Sequence, residues 1–287
     1  MSSQQGLVRL SGTRTRTHEG TDTLMLEDKV AVVYGSGGAI GGAVARAFAR
    51  EGARVFLTGR HRAPVDAVAE EITSLGGVCE AATVDALDEG AIDDHLGYVV
   101  ERAGRLDISF NAIGSTDPGI MGTPLVDQPV EQFLLPVTTY ATSYLLTARL
   151  AARRMIPRSS GVIMTVTTLH SRTGLPLAGG YGPAQAAKEA LTRQLSAELS
   201  PLGVRVVGLR PQAMPQSEGS RHRFFESRAA SMGMTWEQFL AALAARTHPR
   251  RLMRLEEMAD VAAFMASDRA SGMTGTAVNL TLGSLDD

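Results

Sequence analysis

A chain of 287 residues with 44% hydrophobic content can bury a substantial core, and that length suits one large α/β domain. A formal net charge of -2 leaves no basic footprint for nucleic acid, and no apolar run approaches membrane-spanning length. The single cysteine, Cys79, excludes an internal disulfide and a multi-cysteine metal site, and it suits a reducing cytoplasm.

The chain opens on Met1 to Thr23, rich in Ser, Thr, Gly and Arg, without hydrophobic periodicity or the apolar stretch of a secretory signal. Residues 1–25 are therefore expected to be a disordered tail ahead of one domain, 26–287. Met25 stands just before Leu26-Glu27-Asp28-Lys29, so an upstream start codon could supply the tail, and an Arg-rich, acid-poor opening also leaves a transit peptide open.

Val30 to Tyr34 predicts a buried strand, followed by the glycine-dense turn Gly35-Ser36-Gly37-Gly38-Ala39-Ile40-Gly41-Gly42 and a helix from about Ala43 to Glu51. Glycines at such a turn let a pyrophosphate approach the N–H groups that open the helix, whose positive dipole end favours an anion. Gly35, Ser36, Gly38, Ile40 and Gly41 are the candidate contacts. A Gly-rich run also marks plain turns, and the strand before and helix after are what strengthen the reading. The next strand, Arg54 to Thr58, ends in Gly59-Arg60, where an NAD-binding unit usually places an acid for the ribose 2'-hydroxyl. A guanidinium can instead grip a 2'-phosphate through paired charge-assisted hydrogen bonds, which favours NADP(H), although a solvated loop arginine is the plain alternative.

Further strands are expected at Val78 to Thr83, Leu106 to Asn111, Gly161 to Thr167, Val204 to Leu209 and Thr276 to Leu282, with helices between them, notably Glu131 to Met155 and Ala184 to Leu199. This alternation predicts an α/β fold of Rossmann type, a doubly wound parallel sheet of about seven strands with helices on both faces. Residues 212–254 form a long insertion carrying Arg221, His222, Arg223, Phe224, Phe225, Met232, Met234 and Trp236. Such insertions usually cover a ligand site, and an oligomer contact is the alternative. Its aromatics suggest an apolar or aromatic small-molecule substrate, while Arg221 and Arg223 leave an anionic one open.

With these pieces placed, the chain resembles the short-chain dehydrogenase/reductase family from Leu26 to Gly283. Beyond the glycine turn, the resemblance rests on Val84-Asp85, on Leu106 to Gly114, on Tyr181 thirteen residues after Thr168, and on Thr274-Gly275-Thr276. It implies cofactor contacts at Asp85, Asn111 and Gly114, a proton-donating Tyr181, an oxygen-binding hydroxyl at Thr168, and a dimer or tetramer built on the long helices. It places Tyr140, His170 and Met214 near the substrate. Departures fall at the same site: Gln185 stands where the family has lysine, Tyr140 where it has asparagine, Ala39 replaces a turn glycine, and Gln212 follows Pro211.

The missing lysine matters chemically. In the family it holds the nicotinamide ribose and supplies a positive charge that lowers the tyrosine pKa from about 10, each unit being worth about 1.4 kcal/mol. Gln185 can replace the hydrogen bonds and not the charge. Lys188, seven residues after Tyr181 and on the same helix face, is a candidate substitute, resembling the Tyr-x6-Lys spacing of enoyl reductases. The chain has two lysines, Lys29 and Lys188, against 26 arginines, although a pairing of Lys188 across a subunit contact is an equal alternative. His170 has an ordinary pKa of about 6.5, suited to proton transfer, though a loop histidine more often only lines a pocket. There is no metal-ligand spacing, nucleophile elbow or paired-carboxylate signature. Three functions stay open: an NADP(H)-dependent oxidoreductase acting on a carbonyl or activated alkene, a dinucleotide-binding protein without redox activity, and a non-redox enzyme reusing the pocket.

Overall fold

The computed structural model describes residues 24–114, 120–215, 225–226, 228–230 and 232–286. The expected tail up to Thr23 and the insertion residues Arg221, His222, Arg223 and Phe224 lie outside these residues. Val30–Tyr34 forms β1, and all five residues are buried, as a parallel strand covered on both faces requires. The sheet is completed by β2 (Arg54–Gly59), β3 (Val78–Thr83), β4 (Ile108–Asn111), β5 (Gly161–Val166), β6 (Val204–Pro211) and β7 (Thr276–Leu280). All seven run parallel in the order β3-β2-β1-β4-β5-β6-β7, so the sheet winds outward in both directions from the β1/β4 junction. In such sheets the crevice beyond the carboxyl ends at that junction is where ligands bind.

Two apolar layers cover the sheet. On one face α1 (Ala39–Arg50), α2 (Arg62–Ser74) and a late helix pack on Ala31, Val33, Val55 and Leu57. On the other, α3 (Glu89–Ala103), α4 (Val130–Met155) and α5 (Tyr181–Leu199) pack on Val30, Val32, Phe56 and Ile163. The insertion contributes α6 (Trp236–Ala245), opened by a capping box between Thr235 and Gln238, and the late helix is α7 (Leu255–Ala266). Phe225 and Trp236 pack on the ring of Phe239, at centroid distances of 6.2 and 6.0 Å, so these rings bury one another.

Several element ends differ from the sequence reading by one or two residues, and three starts differ for a local reason. Helix α1 begins at Ala39 rather than near Ala43, because Gly38 takes the N-cap and the later glycines belong to the first helical turn. Strand β4 begins at Ile108, because the Asp107 carboxylate accepts from Val30 N at 2.9 Å and ends the approach to the strand. Helix α5 begins at Tyr181 rather than Ala184, since Pro183 in the first turn has no helical acceptor to lose.

Candidate active site

The glycine turn joins β1 to α1 at the carboxyl end of the sheet. Gly35 has φ +77°, a left-handed conformation that glycine adopts without strain, and a Cβ there would meet Ala112 O at 2.9 Å. A Cβ on Gly41 would overlap the Gly35 carbonyl oxygen, so the first turn of α1 lies directly on the loop. Ser36 is buried and its Oγ donates to Thr58 O at 3.1 Å, locking the loop to β2. The first N–H groups of α1 have no intrahelical acceptor, and the bare backbone at Gly38 lets an anion reach them. The Ile40 side chain points the other way and joins the core.

Beyond β2, Arg60 is exposed with no ion-pair partner among the described residues, and a Cβ on the preceding Gly59 would press on Val65 Cγ2 at 2.8 Å. Arg62, two residues further on, holds Asp66 at 2.7 Å. Asp85 is exposed after β3, and one carboxylate oxygen accepts from Leu87 N at 3.0 Å. Asn111 is turned inward: it is 1% exposed, donates to Thr147 Oγ1 at 3.0 Å and accepts from Ile113 N at 3.3 Å. Its side chain braces the end of β4 against α4, leaving the backbone from Ala112 to Gly114 at the crevice.

The catalytic candidates converge between β5, α4 and α5. Thr168 follows β5 in extended conformation and is 9% exposed. Tyr181 opens α5, and its ring meets that of Tyr140 edge-on, with centroids 6.1 Å apart and planes at 74°. The start of α5 is pressed on α4, since a Cβ on Gly180 would overlap the Phe133 carbonyl oxygen. Gln185, one turn along from Tyr181, is 4% exposed, and its Oε1 is buried with no hydrogen-bond partner among the described residues. A buried acceptor left unmatched costs about 1–3 kcal/mol, which makes it a waiting seat for a donor.

Lys188 does not reach toward Gln185. It is 1% exposed, its Nζ donates to Val166 O at 2.7 Å, and it lies 5.8 and 5.9 Å from the ring centroids of Tyr140 and Tyr144. Its neighbour Glu189 forms a pair that no motif or spacing signals. Glu189 is gripped by Arg210 through two bonds of 2.7 and 2.9 Å, and it also accepts from Ser171 Oγ at 2.5 Å and Thr167 Oγ1 at 3.1 Å. Burial pushes the Glu189 carboxyl up, yet the bonds from Arg210, Ser171 and Thr167 outweigh it and hold the group below its ordinary range. The pair thereby braces the loop that presents Thr168.

His170 contacts Thr173 Oγ1 through Nδ1 at 3.3 Å. Burial, aided by the charges of Arg246 and Arg228, holds its pKa down at about 4, so the ring is neutral near pH 7 and poorly matched to proton transfer there. Met214 is 4% exposed and packs into the core rather than lining an open wall, because an apolar side chain gains by burial there. Gln212 ties the end of β6 to the C-terminal segment: its Nε2 donates to Ser284 Oγ at 2.6 Å and its Oε1 accepts from Ala213 N at 2.8 Å. Among the described residues no cluster of His, Cys, Asp or Glu could hold a metal ion, and no helix is long and apolar enough to cross a membrane.

Comparison with known proteins agrees with this architecture. The family described as enoyl-(acyl carrier protein) reductase matches residues 35–284. A probable 2,4-dienoyl-CoA reductase of Caenorhabditis elegans is 28% identical over 259 residues, covering 89% of this chain and 80% of the relative. A short-chain type dehydrogenase/reductase from Mycobacterium marinum superposes with a TM-score of 0.77 at 25% identity, covering 92% of this chain and 97% of that one. An NAD+-bound xylitol dehydrogenase does so with a TM-score of 0.82 at 25% identity, covering 90% and 99%.

Proposed function

Because the chain belongs to the short-chain dehydrogenase/reductase family and is an oxidoreductase of that type, we propose that it moves a hydride between NADP(H) and a carbonyl or activated alkene of a small apolar or aromatic compound. The observation that carries this reading is the unmatched Gln185 Oε1 one helical turn from Tyr181. A buried acceptor there suits a hydroxyl donor such as the nicotinamide ribose, and the Gly35/Gly41 cradle, which a Cβ would fill, suits the pyrophosphate. When bound, the nicotinamide supplies or accepts the hydride. Tyr181 gives or takes the proton at the substrate oxygen, and the Thr168 hydroxyl holds that oxygen. The backbone from Ala112 to Gly114 and the exposed Asp85 border the adenosine side.

The choice of NADP(H) over NAD(H) rests on Arg60, which is exposed and uncommitted among the described residues, and on the absence of a repelling acid at Gly59. The aromatic rings of the insertion stack on one another, so the substrate's apolar contacts fall to Tyr140 and Tyr181. Fluorescence titration tests the cofactor: NADPH should bind more tightly than NADH, and Arg60→Ala should erase most of the difference. Equal affinities in the parent would refute the assignment. Turnover of a ketone and enone panel with NADPH tests the chemistry, with Tyr181→Phe expected to lower the rate by about 10²- to 10⁴-fold. An active parent indifferent to Tyr181→Phe would remove the tyrosine from the mechanism, and a chain that binds NADPH tightly but reduces nothing would be a binding protein instead.

A further inference from the structure

Lys188 is a cation in a place built for an apolar side chain. Position 188 faces α4 from the buried side of α5, at 1% exposure, and carrying an ammonium into such surroundings is costly unless polar and aromatic neighbours receive it, as the Val166 carbonyl and the rings of Tyr140 and Tyr144 do. Among the described residues, the titratable groups around it come from three elements. Tyr140 and Tyr144 face it from α4, Tyr181 and Glu189 share its helix, and Arg210 comes from β6. Strands β4 and β5 carry no titratable residue. Glu189, the adjacent carboxylate, is committed to Arg210 through both oxygens, so its charge is already matched. The ammonium lies over the Tyr140 ring, and that ring meets Tyr181 edge-on.

We propose that Lys188 supplies the positive charge of this active site from inside the protein, acting on Tyr181 through the ring of Tyr140. The inference rests on the reading of Tyr181 as proton donor. In the direction of reduction, hydride from NADPH forms the new C–H bond at the carbonyl carbon and NADP+ is released. The C=O π pair moves to the oxygen, which takes the Tyr181 proton and leaves a tyrosinate to be reprotonated from solvent. A cation held over the face of the adjoining ring withdraws electron density from it and stabilises the negative charge as it develops, and the low dielectric of the site lengthens its reach. Lys188 is buried at 1% exposure and acts through Tyr140 rather than on the reacting atoms, so it is a positioning residue. Gln185 has taken the ribose contact and Lys188 the charge, two duties that one lysine performs elsewhere in the family.

The chain has five tyrosines, which makes ultraviolet difference titration of the whole protein decisive without any substrate. Burial pushes the phenols of Tyr34 and Tyr144 far up, and the bond to Glu80 raises that of Tyr98. The parent should therefore show a tyrosine ionising well before these three, and Tyr181→Phe should remove that step. Lys188→Met, close in volume and neutral, should move the step up by about one unit, and Lys188→Arg should leave it near the parent value. Tyr140→Leu keeps the cation and breaks the ring path, and should give the same upward movement. In turnover, Lys188→Met should lower kcat about tenfold or more, leave the KM for NADPH unchanged and shift the tyrosine limb of the pH profile upward. Thermal melts identify any variant that fails to fold, in which case the arginine and Tyr140→Leu variants decide. A titration identical in parent and Lys188→Met, or in parent and Tyr140→Leu, overturns the proposal even if no substrate has been found. Loss of all activity in Tyr181→Phe alongside such unchanged titrations would leave the proposed function standing and this inference fallen.

Discussion

Gln185 and Lys188 sit three positions apart on one helix, yet they face different worlds. The amide oxygen of Gln185 is buried and unmatched among the described residues, one turn from Tyr181, and the ammonium of Lys188 is packed against α4. Returning the charge to the crevice is a direct experiment: Gln185→Lys should raise ketone reduction with NADPH, read as kcat/KM over a substrate panel, because the charge then acts on Tyr181 without an intervening ring. A fall in rate would mean that two cations on one helix repel more than they help. The buried pair behind them can be tested separately. Glu189→Gln keeps the shape and leaves Arg210 uncompensated, and should cost about 3–5 kcal/mol in urea denaturation. The spacing of Tyr181, Thr168 and Gln185 was legible in the sequence because one helix register and one strand end place all three. The partners of Lys188 and Glu189 were not, because they come from α4 and β6, and only the packing of those elements decides which residues meet.

At the scale of elements, the strands and their approximate positions could be read from apolar runs and turn residues, since a parallel strand buried on both faces is a plain signal in Val30–Tyr34 or Gly161–Val166, whereas their order in the sheet came from the structure. Helix starts were harder. The glycine-dense run reads as a turn and so places the start of α1 after its glycines, whereas Gly38 takes the N-cap and Gly41 approaches Gly35 from inside the first turn. That approach predicts that Gly41→Ala, mild in most helices, should here abolish dinucleotide binding in a fluorescence titration and lower the melting temperature, because the new methyl must displace backbone. Unchanged NADPH affinity in this variant would show that the turn is not the cofactor's seat. Asn111 teaches the same lesson at a strand end: its position in the motif was visible, and its use as a brace to Thr147 required α4 to be in place.

For the molecule as a whole, acid sensitivity follows from the buried His95 and the half-buried His170. Burial holds His95 at about 4, and burial with the charges of Arg246 and Arg228 holds His170 at about 4. An unfolded histidine takes a proton near pH 6.5, so as pH falls toward 4 the unfolded chain binds protons that the folded chain refuses. Stability from these groups is complete above 6.5 and is lost progressively below it, on the order of 2 kcal/mol each by pH 5. His95, packed edge-on to Phe56 with neither ring nitrogen bonded among the described residues, is the simpler probe. His95→Leu should flatten the decline of melting temperature between pH 7 and 5, and an equally steep decline would assign the loss elsewhere. The contact between Gly180 and the Phe133 carbonyl has a different bearing, on how this scaffold could be redesigned. Libraries seeking new substrates can diversify the loop from Arg172 to Leu177, where side chains have somewhere to go. Position 180 offers no such latitude: every replacement would wedge the two helices apart and carry Tyr181 out of register, so screens that include it will spend their diversity on misassembled clones.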